Sequence, residues 1–212
     1  MTEPPAVGFP TRGLYVLTPP AIPELKQLET MVAAALSGGA VAVQFRDKQH
    51  DRLERLERAT ALRVLCREYG VPLIVNDDVD LTGAVQADGV HLGKNDASLA
   101  SARRILGPRF IIGVSCYDSL ARAISAIDEG ADYVAFGSFF ASRTKPGAVA
   151  CGIEVLVEAA ANITRPIIAI GGITPENATG LISSGADLLA VQSSIFSVPD
   201  SCASARKFSR LF

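Results

Sequence analysis

Short apolar runs alternate with longer amphipathic stretches along the chain. The runs are GLYVLT (13–18), AVAVQF (40–45), PLIVN (72–76), GVHLG (89–93), FIIGVS (110–115), YVAFGS (133–138), PIIAIGG (166–172) and LLAVQSS (188–194). Most show no alternation of apolar and polar residues. Strands of that kind are buried on both faces, as parallel strands are. Between the runs the period becomes helical. Leu25, Leu28, Val32 and Leu36 share one face of 24–39, and 50–69 sets Leu53, Leu56, Leu62 and Leu65 against a charged side. The same pattern predicts a helix over 118–129. Thr174-Pro175 reads as a cap followed by a first-turn proline, opening a helix over 174–183.

A weak internal repeat links these elements. SGGAVAVQ (37–44), EGADYVAF (129–136) and SGADLLAV (184–191) each end a helix at glycine and enter a strand at once. Glycine closes such helices in a left-handed conformation. Repeated strand–helix units imply parallel strands joined by right-handed crossovers. Eight units in this length predict an α/β fold, a compact (β/α)8 TIM barrel. An open doubly wound sheet would usually show a glycine-rich first turn, and GxGxxG does not occur. No linker or composition break interrupts the pattern. A single domain over 1–212 is expected, with 1–12 as an N-terminal extension.

Polar residues cluster where the apolar runs end. Gln44, Arg46, Asp47 and Lys48 follow the second, and Asn76, Asp77 and Asp78 the third. His91, Gly93, Lys94 and Asp96 lie on and after the fourth, and Ser115, Cys116 and Tyr117 end the fifth. Ser142, Arg143, Thr144 and Lys145 follow the sixth, Gly171-Gly172 the seventh, and Gln192, Ser193 and Ser194 the eighth. In a barrel these ends meet on one rim, where active sites lie. Asp77, Asp78 and Asp96 each fit a helix cap. As a pair on adjacent strand ends, two carboxylates also suit one hard cation such as Mg2+. Arg46 and Lys48, at alternate positions after a strand, are expected to point to one side. With Lys145 they suit a diphosphate leaving group held by metal and cations. Gly171-Gly172 before a helix start, with Ser193 nearby, suits a second, phosphate-sized anion. His91 reads first as a packing histidine, and Cys116 as a small buried residue rather than a nucleophile.

Composition narrows the partners. The 212 residues hold 20 Lys+Arg against 22 Asp+Glu, a net charge of -2, and 49 % are apolar, which fits a folded globular chain. Near-neutral charge argues against nucleic acid or an anionic membrane as the main partner. No apolar run approaches a membrane span. The start lacks the features of a secretory signal. Four widely spaced cysteines show no zinc pattern and read as reduced thiols, so a cytoplasmic protein is expected. Small phosphorylated molecules are the expected partners, and a homo-oligomer is compatible with the sequence.

Taken together, VQFRDK (43–48), VNDDVDL (75–81), ADGVHLGKND (87–96), GVS (113–115), GADYVAFGSFF…RTK (130–145) and IAIGGITPEN (168–177) resemble the thiamine-phosphate synthase family over nearly the whole chain. The resemblance implies that 4-amino-2-methyl-5-hydroxymethylpyrimidine diphosphate joins a thiazole phosphate, or its carboxylated tautomer, giving thiamine monophosphate and pyrophosphate. It implies that Asp77 and Asp96 bind Mg2+. It places the pyrimidine diphosphate on Gln44, Phe45, Arg46, Asp47, Lys48, Asn76, Ser115 and Lys145, with Arg46, Lys48, Ser115 and Lys145 in the catalytic role. The thiazole phosphate falls to Ser142, Arg143, Thr144, Gly172, Gln192 and Ser193. The implied mechanism is dissociative and needs no side-chain nucleophile. The chain departs from the family pattern at Ala141-Ser142, at Tyr117 in place of a common histidine, at Gln192 and at Leu188. Related thiazole tautomerases are degraded at the NDD motif, and a precursor sensor needs no metal at a leaving group. Intact Asp77, Asp96 and cations set the chain apart from both.

Overall fold

A computed structural model describes residues 7–20, 22, 24–141 and 151–212. Its eight strands are β1 (Gly13–Leu17), β2 (Ala40–Phe45), β3 (Leu73–Asn76), β4 (Gly89–Leu92), β5 (Ile111–Tyr117), β6 (Tyr133–Phe136), β7 (Ile167–Ile170) and β8 (Leu188–Val191). All pair in parallel and in chain order, and β8 returns to β1 through Gly13↔Leu188 to Val16↔Val191. The sheet is therefore the closed (β/α)8 barrel that the sequence predicts. Around it lie α1 (Leu25–Ser37), α2 (Arg52–Glu68), α3 (Val79–Val85), α4 (Leu99–Leu106), α5 (Leu120–Asp128), α6 (Glu154–Asn162), α7 (Pro175–Ser183), the one-turn α8 (Ser193–Phe196) and α9 (Ser201–Ser209). Among the described residues, no helix is long and apolar enough to cross a membrane. The four cysteines are free thiols.

Two apolar layers explain the missing alternation. Along β1, Leu14 and Val16 face the helices, whereas Tyr15 and Leu17 face the barrel interior. Along β2, Val43 and Phe45 go outward and Ala42 goes inward. Both layers are apolar and buried, and burying each large side chain contributes about 1.5–3 kcal/mol. The inner layer is small: Tyr15, Leu17, Ala42, Ile74, Ile111, Tyr133, Ala135, Ile168, Leu188 and Ala190. Phe9, from the segment expected to be an extension, joins it by stacking on Tyr133 with ring centroids 4.0 Å apart.

The helix-ending repeat holds as read. Gly39, Gly130 and Gly185 have φ of +98°, +96° and +110°, which side chains rarely adopt, so the chain turns there from helix into strand. The structure adds a second repeat. Asp88, Asp132 and Asp187 stand just before β4, β6 and β8. Each accepts the N–H of a residue on the preceding strand segment, Leu73, Ile112 and Ile167, at 2.8 Å. Each also donates its own N–H to that residue's carbonyl, at 2.9, 2.8 and 2.8 Å. Three reciprocal clamps thus set the strand register at the end opposite the mouth.

Asp187→Ala would strand the Ile167 N–H and lower stability by about 1–3 kcal/mol. Asp187→Asn, which keeps an acceptor, should recover most of that loss in urea unfolding.

Candidate active site

The C-terminal strand ends surround a cavity of about 890 Å3. Its wall carries Gln44, Arg46, Asn76, His91 and Ser115 on one side and Gly171, Gly172, Gln192 and Ser193 on the other. With strands in chain order around a closed ring, β3 lies opposite β7 and β4 opposite β8. A smaller cavity adjoins it, lined by Asp47, Lys48, His50, Arg55, Asn76, Asp77 and Asp78. Asn76 belongs to both.

The three residues ending β3 divide their work. Asn76 is the last strand residue, in register with His91. Asp78 is the cap of α3, its Oδ1 accepting from Leu81 N at 2.9 Å, and it pairs with Arg55 at 2.8 Å. Asp77 caps nothing. Its backbone is left-handed, φ +66°, and its carboxylate meets Lys48 Nζ at 2.5 Å. Asp96 is not a cap either, since Ser98 caps α4. Its Oδ2 accepts from Gly93 N at 2.6 Å. Asp77 and Asp96 are close enough to share a hydrogen bond. Burial opposes ionisation of Asp77, but Lys48 and the bond with Asp96 outweigh it and lower its pKa. Burial and the Asp77 charge together raise the pKa of Asp96.

This pair is an all-oxygen donor set, as a hard cation prefers. No cluster of three or more His, Cys, Asp or Glu side chains suited to a metal occurs among the described residues. Two carboxylates with the remaining positions left to ligand oxygens and water is a common mode for Mg2+. The donors therefore fit that ion.

The segment after β2 differs from the expectation. The strand ends at Phe45, so its period of two stops there. Arg46 faces the main cavity, whereas Lys48 lines the adjoining one beside Asp77. Phe45 does not present its side chain to a ligand, because the outward residues of β2 pack under the helices and it is 2 % exposed. Asp47 does not offer a free carboxylate. Its oxygens hold the N–H groups of Gln49 and His50 at 3.0 and 3.1 Å and the His50 ring at 2.7 Å. Burial alone would raise its pKa, and these bonds bring it below the usual carboxylate value. Asp47 thereby shapes the turn that carries Lys48.

On the opposite side, Gly172 precedes α7. Asn177 Nδ2 donates to Gly172 O at 3.1 Å while its Oδ1 accepts from Thr174 N at 2.9 Å. Gln192 occupies the N-cap position of α8 without a capping hydrogen bond from its side chain, and Ser193 is the first helix residue rather than a strand end. Phe139 and Phe140 donate to Ile170 O and Gly171 O at 3.2 and 3.1 Å, fixing the β6 loop beside Gly171. Ser142, Arg143, Thr144 and Lys145 lie outside the described residues.

Thr18 and Arg122 escaped the sequence reading, whereas Tyr117, His91 and Cys116 were singled out by it. Thr18 Oγ1 accepts Arg46 N at 2.8 Å and donates to Arg46 O at 3.2 Å, clamping the backbone of that arginine. Arg122, in the segment read only as an amphipathic helix, lines the cavity and donates from Nε to Ser115 O at 2.8 Å. Tyr117 accepts the Lys94 N–H at 3.2 Å and so steadies the loop bearing Asp96. His91 lies between Tyr133 and Ser115, bonded to both. Cys116 is buried, and burial pushes its thiol up to about 12, which keeps it un-ionised and inert.

Paired carboxylates and cations on one side of a barrel mouth, with a glycine-rich helix start across from them, define a (β/α)8-barrel enzyme for phosphorylated small molecules. Comparison with known proteins narrows this. A family profile described as thiamine monophosphate synthase matches residues 14–195. A thiamine-phosphate synthase from Thiobacillus denitrificans is 51 % identical over 200 residues, 94 % of each chain. Another from Azoarcus is 50 % identical over 97 % of this chain and all of its own. The solved thiamine phosphate pyrophosphorylase from Pyrococcus furiosus superposes with a TM-score of 0.85 at 37 % identity, covering 95 % of both chains. The chain belongs to the thiamine monophosphate synthase family.

Thr18→Val would leave the Arg46 N–H without its acceptor and cost about 1–3 kcal/mol in chemical denaturation. An unchanged midpoint would show that the clamp is dispensable.

Proposed function

We infer that the protein is a thiamine-phosphate synthase, joining an aminopyrimidine diphosphate to a thiazole phosphate with release of pyrophosphate. The observation that carries this reading is the meeting of Asp77, Asp96 and Lys48 just beyond the ends of β2 to β4, across the closed ring from Gly172 and Ser193 beyond β7 and β8. The first group suits a metal-bound diphosphate and the second a smaller anion.

The C–O bond to the diphosphate breaks with its electron pair going to oxygen. The thiazole nitrogen then donates its lone pair to the exposed carbon, forming the C–N bond. No protein nucleophile takes part, and the chain's contribution is positioning and charge. Arg46 and Lys48 would bind diphosphate oxygens, with Lys145 as a third cation from the β6 side. Gln44, Asn76 and Ser115 would orient the pyrimidine. Gly172, Gln192 and Ser193, with Ser142, Arg143 and Thr144, would hold the thiazole phosphate. Mg2+, held by Asp77 and Asp96, would supply further neutralisation of the departing diphosphate. Lys48 Nζ lies 2.5 Å from a carboxylate oxygen of Asp77, so the cation stands beside the proposed metal ligand. A cytoplasmic location fits such a biosynthetic role.

Mixing the protein with both substrates and Mg2+ should release pyrophosphate only when all three are present. Release from the pyrimidine diphosphate alone, or turnover of the thiazole alone, would overturn the assignment. Asp77→Asn is the informative variant, because asparagine tolerates the left-handed backbone that alanine would strain. It should cut Mg2+-dependent turnover by about 100-fold or more, since metal stabilisation of a leaving group is worth several kcal/mol. Its melting temperature should stay near that of the wild type.

A further inference from the structure

Beneath the pyrimidine side of the cavity runs a continuous line of hydrogen bonds through the barrel interior. Gln44 Nε2 donates to Tyr15 Oη at 2.9 Å. Tyr15 Oη and Tyr133 Oη are 3.1 Å apart. Tyr133 Oη lies 3.0 Å from His91 Nδ1, and His91 Nε2 lies 2.8 Å from Ser115 Oγ. The line begins and ends on residues that line the cavity, Gln44 and Ser115, while Tyr133 is fully buried beneath it. The structure makes room for Tyr133 at one point. A Cβ at Gly113 would overlap its ring, so glycine is required there.

The hydrogens can be counted along this line. Tyr15 accepts the Gln44 hydrogen, and Tyr133 Oη is the acceptor within reach for its own hydrogen, so that hydrogen is assigned to Tyr133. Tyr133 has one hydrogen, and it goes to His91 Nδ1. That nitrogen is then an acceptor, and the neutral ring carries its hydrogen on Nε2, facing Ser115. Ser115 accepts it and keeps its own hydrogen for the cavity. Burial raises the pKa of both phenols, so each retains the hydrogen this count requires. In a low-dielectric interior such bonds strengthen one another.

We propose that this chain runs in one direction, from Gln44 through Tyr15, Tyr133 and His91 to Ser115, and makes Ser115 a hydrogen-bond donor to the ligand. Tyr133 and His91 are positioning residues in this scheme. They act by fixing a tautomer and a hydroxyl direction. The effect on turnover rests on the synthase reading, but the direction of the chain does not.

The chain has two histidines, so nitrogen NMR of the labelled full-length protein, with His50→Gln for assignment, reads His91 directly. The expected result is a neutral ring with the proton on Nε2 and Nδ1 as a bonded acceptor. A proton on Nδ1, or on both nitrogens, overturns the proposal. Tyr133→Phe keeps the ring and touches no ligand. It should shift Nδ1 toward an unbonded acceptor and lower kcat/KM for the pyrimidine diphosphate about three- to tenfold, the worth of one hydrogen bond. KM for the thiazole phosphate should not move. An unshifted Nδ1, or equal losses for both substrates, contradicts the scheme. Tyr15→Phe, which breaks the line one bond earlier, should weaken the Nε2–H preference in the same sense. Should the wild type release no pyrophosphate, the synthase assignment fails while the His91 spectrum still decides the chain.

Discussion

The pairing of β8 with β1 is the constraint on which the site depends. It closes the sheet, and closure removes the exposed edges an open sheet would have. It also carries every strand's C-terminal end to the same mouth. Residues more than a hundred positions apart, such as Asp77 and Gln192, then border neighbouring or shared cavities without any long connecting loop. The reciprocal clamps at Asp88, Asp132 and Asp187 set register at the far end. A slip of one residue would turn every inward side chain toward the helices. Gln44 and Phe45 would then exchange places, and the cavity would lose its polar wall.

Electrostatics at the mouth follow from that arrangement. Two carboxylates drawn together repel one another, and burial together with the neighbouring Asp77 raises the pKa of Asp96. Lys48, paired with Asp77, offsets part of that repulsion. A divalent cation would offset the rest, and a diphosphate would in turn balance the surplus positive charge. On the proposed reading, metal and anion together suit this charge pattern better than either alone.

Much of the fold was legible in the sequence. Unalternating apolar runs mark strands buried twice, and the Gly-Ala junctions mark where helices give way to them. The rim residues were legible because strand ends can be read locally. What failed was the extrapolation of strand period past Phe45, where Arg46 and Lys48 part company. Nor could local pattern show that Asp47 is consumed by its own turn. Thr18, Tyr15, Tyr133 and His91 act through partners 24 to 118 residues away, and no local window contains both ends of such a bond. Tyr15 and Tyr133 did carry a signal: each is a polar-tipped residue inside an otherwise apolar strand, and a buried phenol needs a partner.

A crystal structure with Mg2+, pyrophosphate and thiazole phosphate tests the central claim most directly, that the mouth holds two different anions at opposite sides. The arrangement predicts metal between the Asp77 and Asp96 carboxylates, pyrophosphate on it beside Arg46 and Lys48, and thiazole phosphate at Gly172 and Ser193. Pyrophosphate at Gly172 and Ser193, or metal bound away from both aspartates, would contradict it.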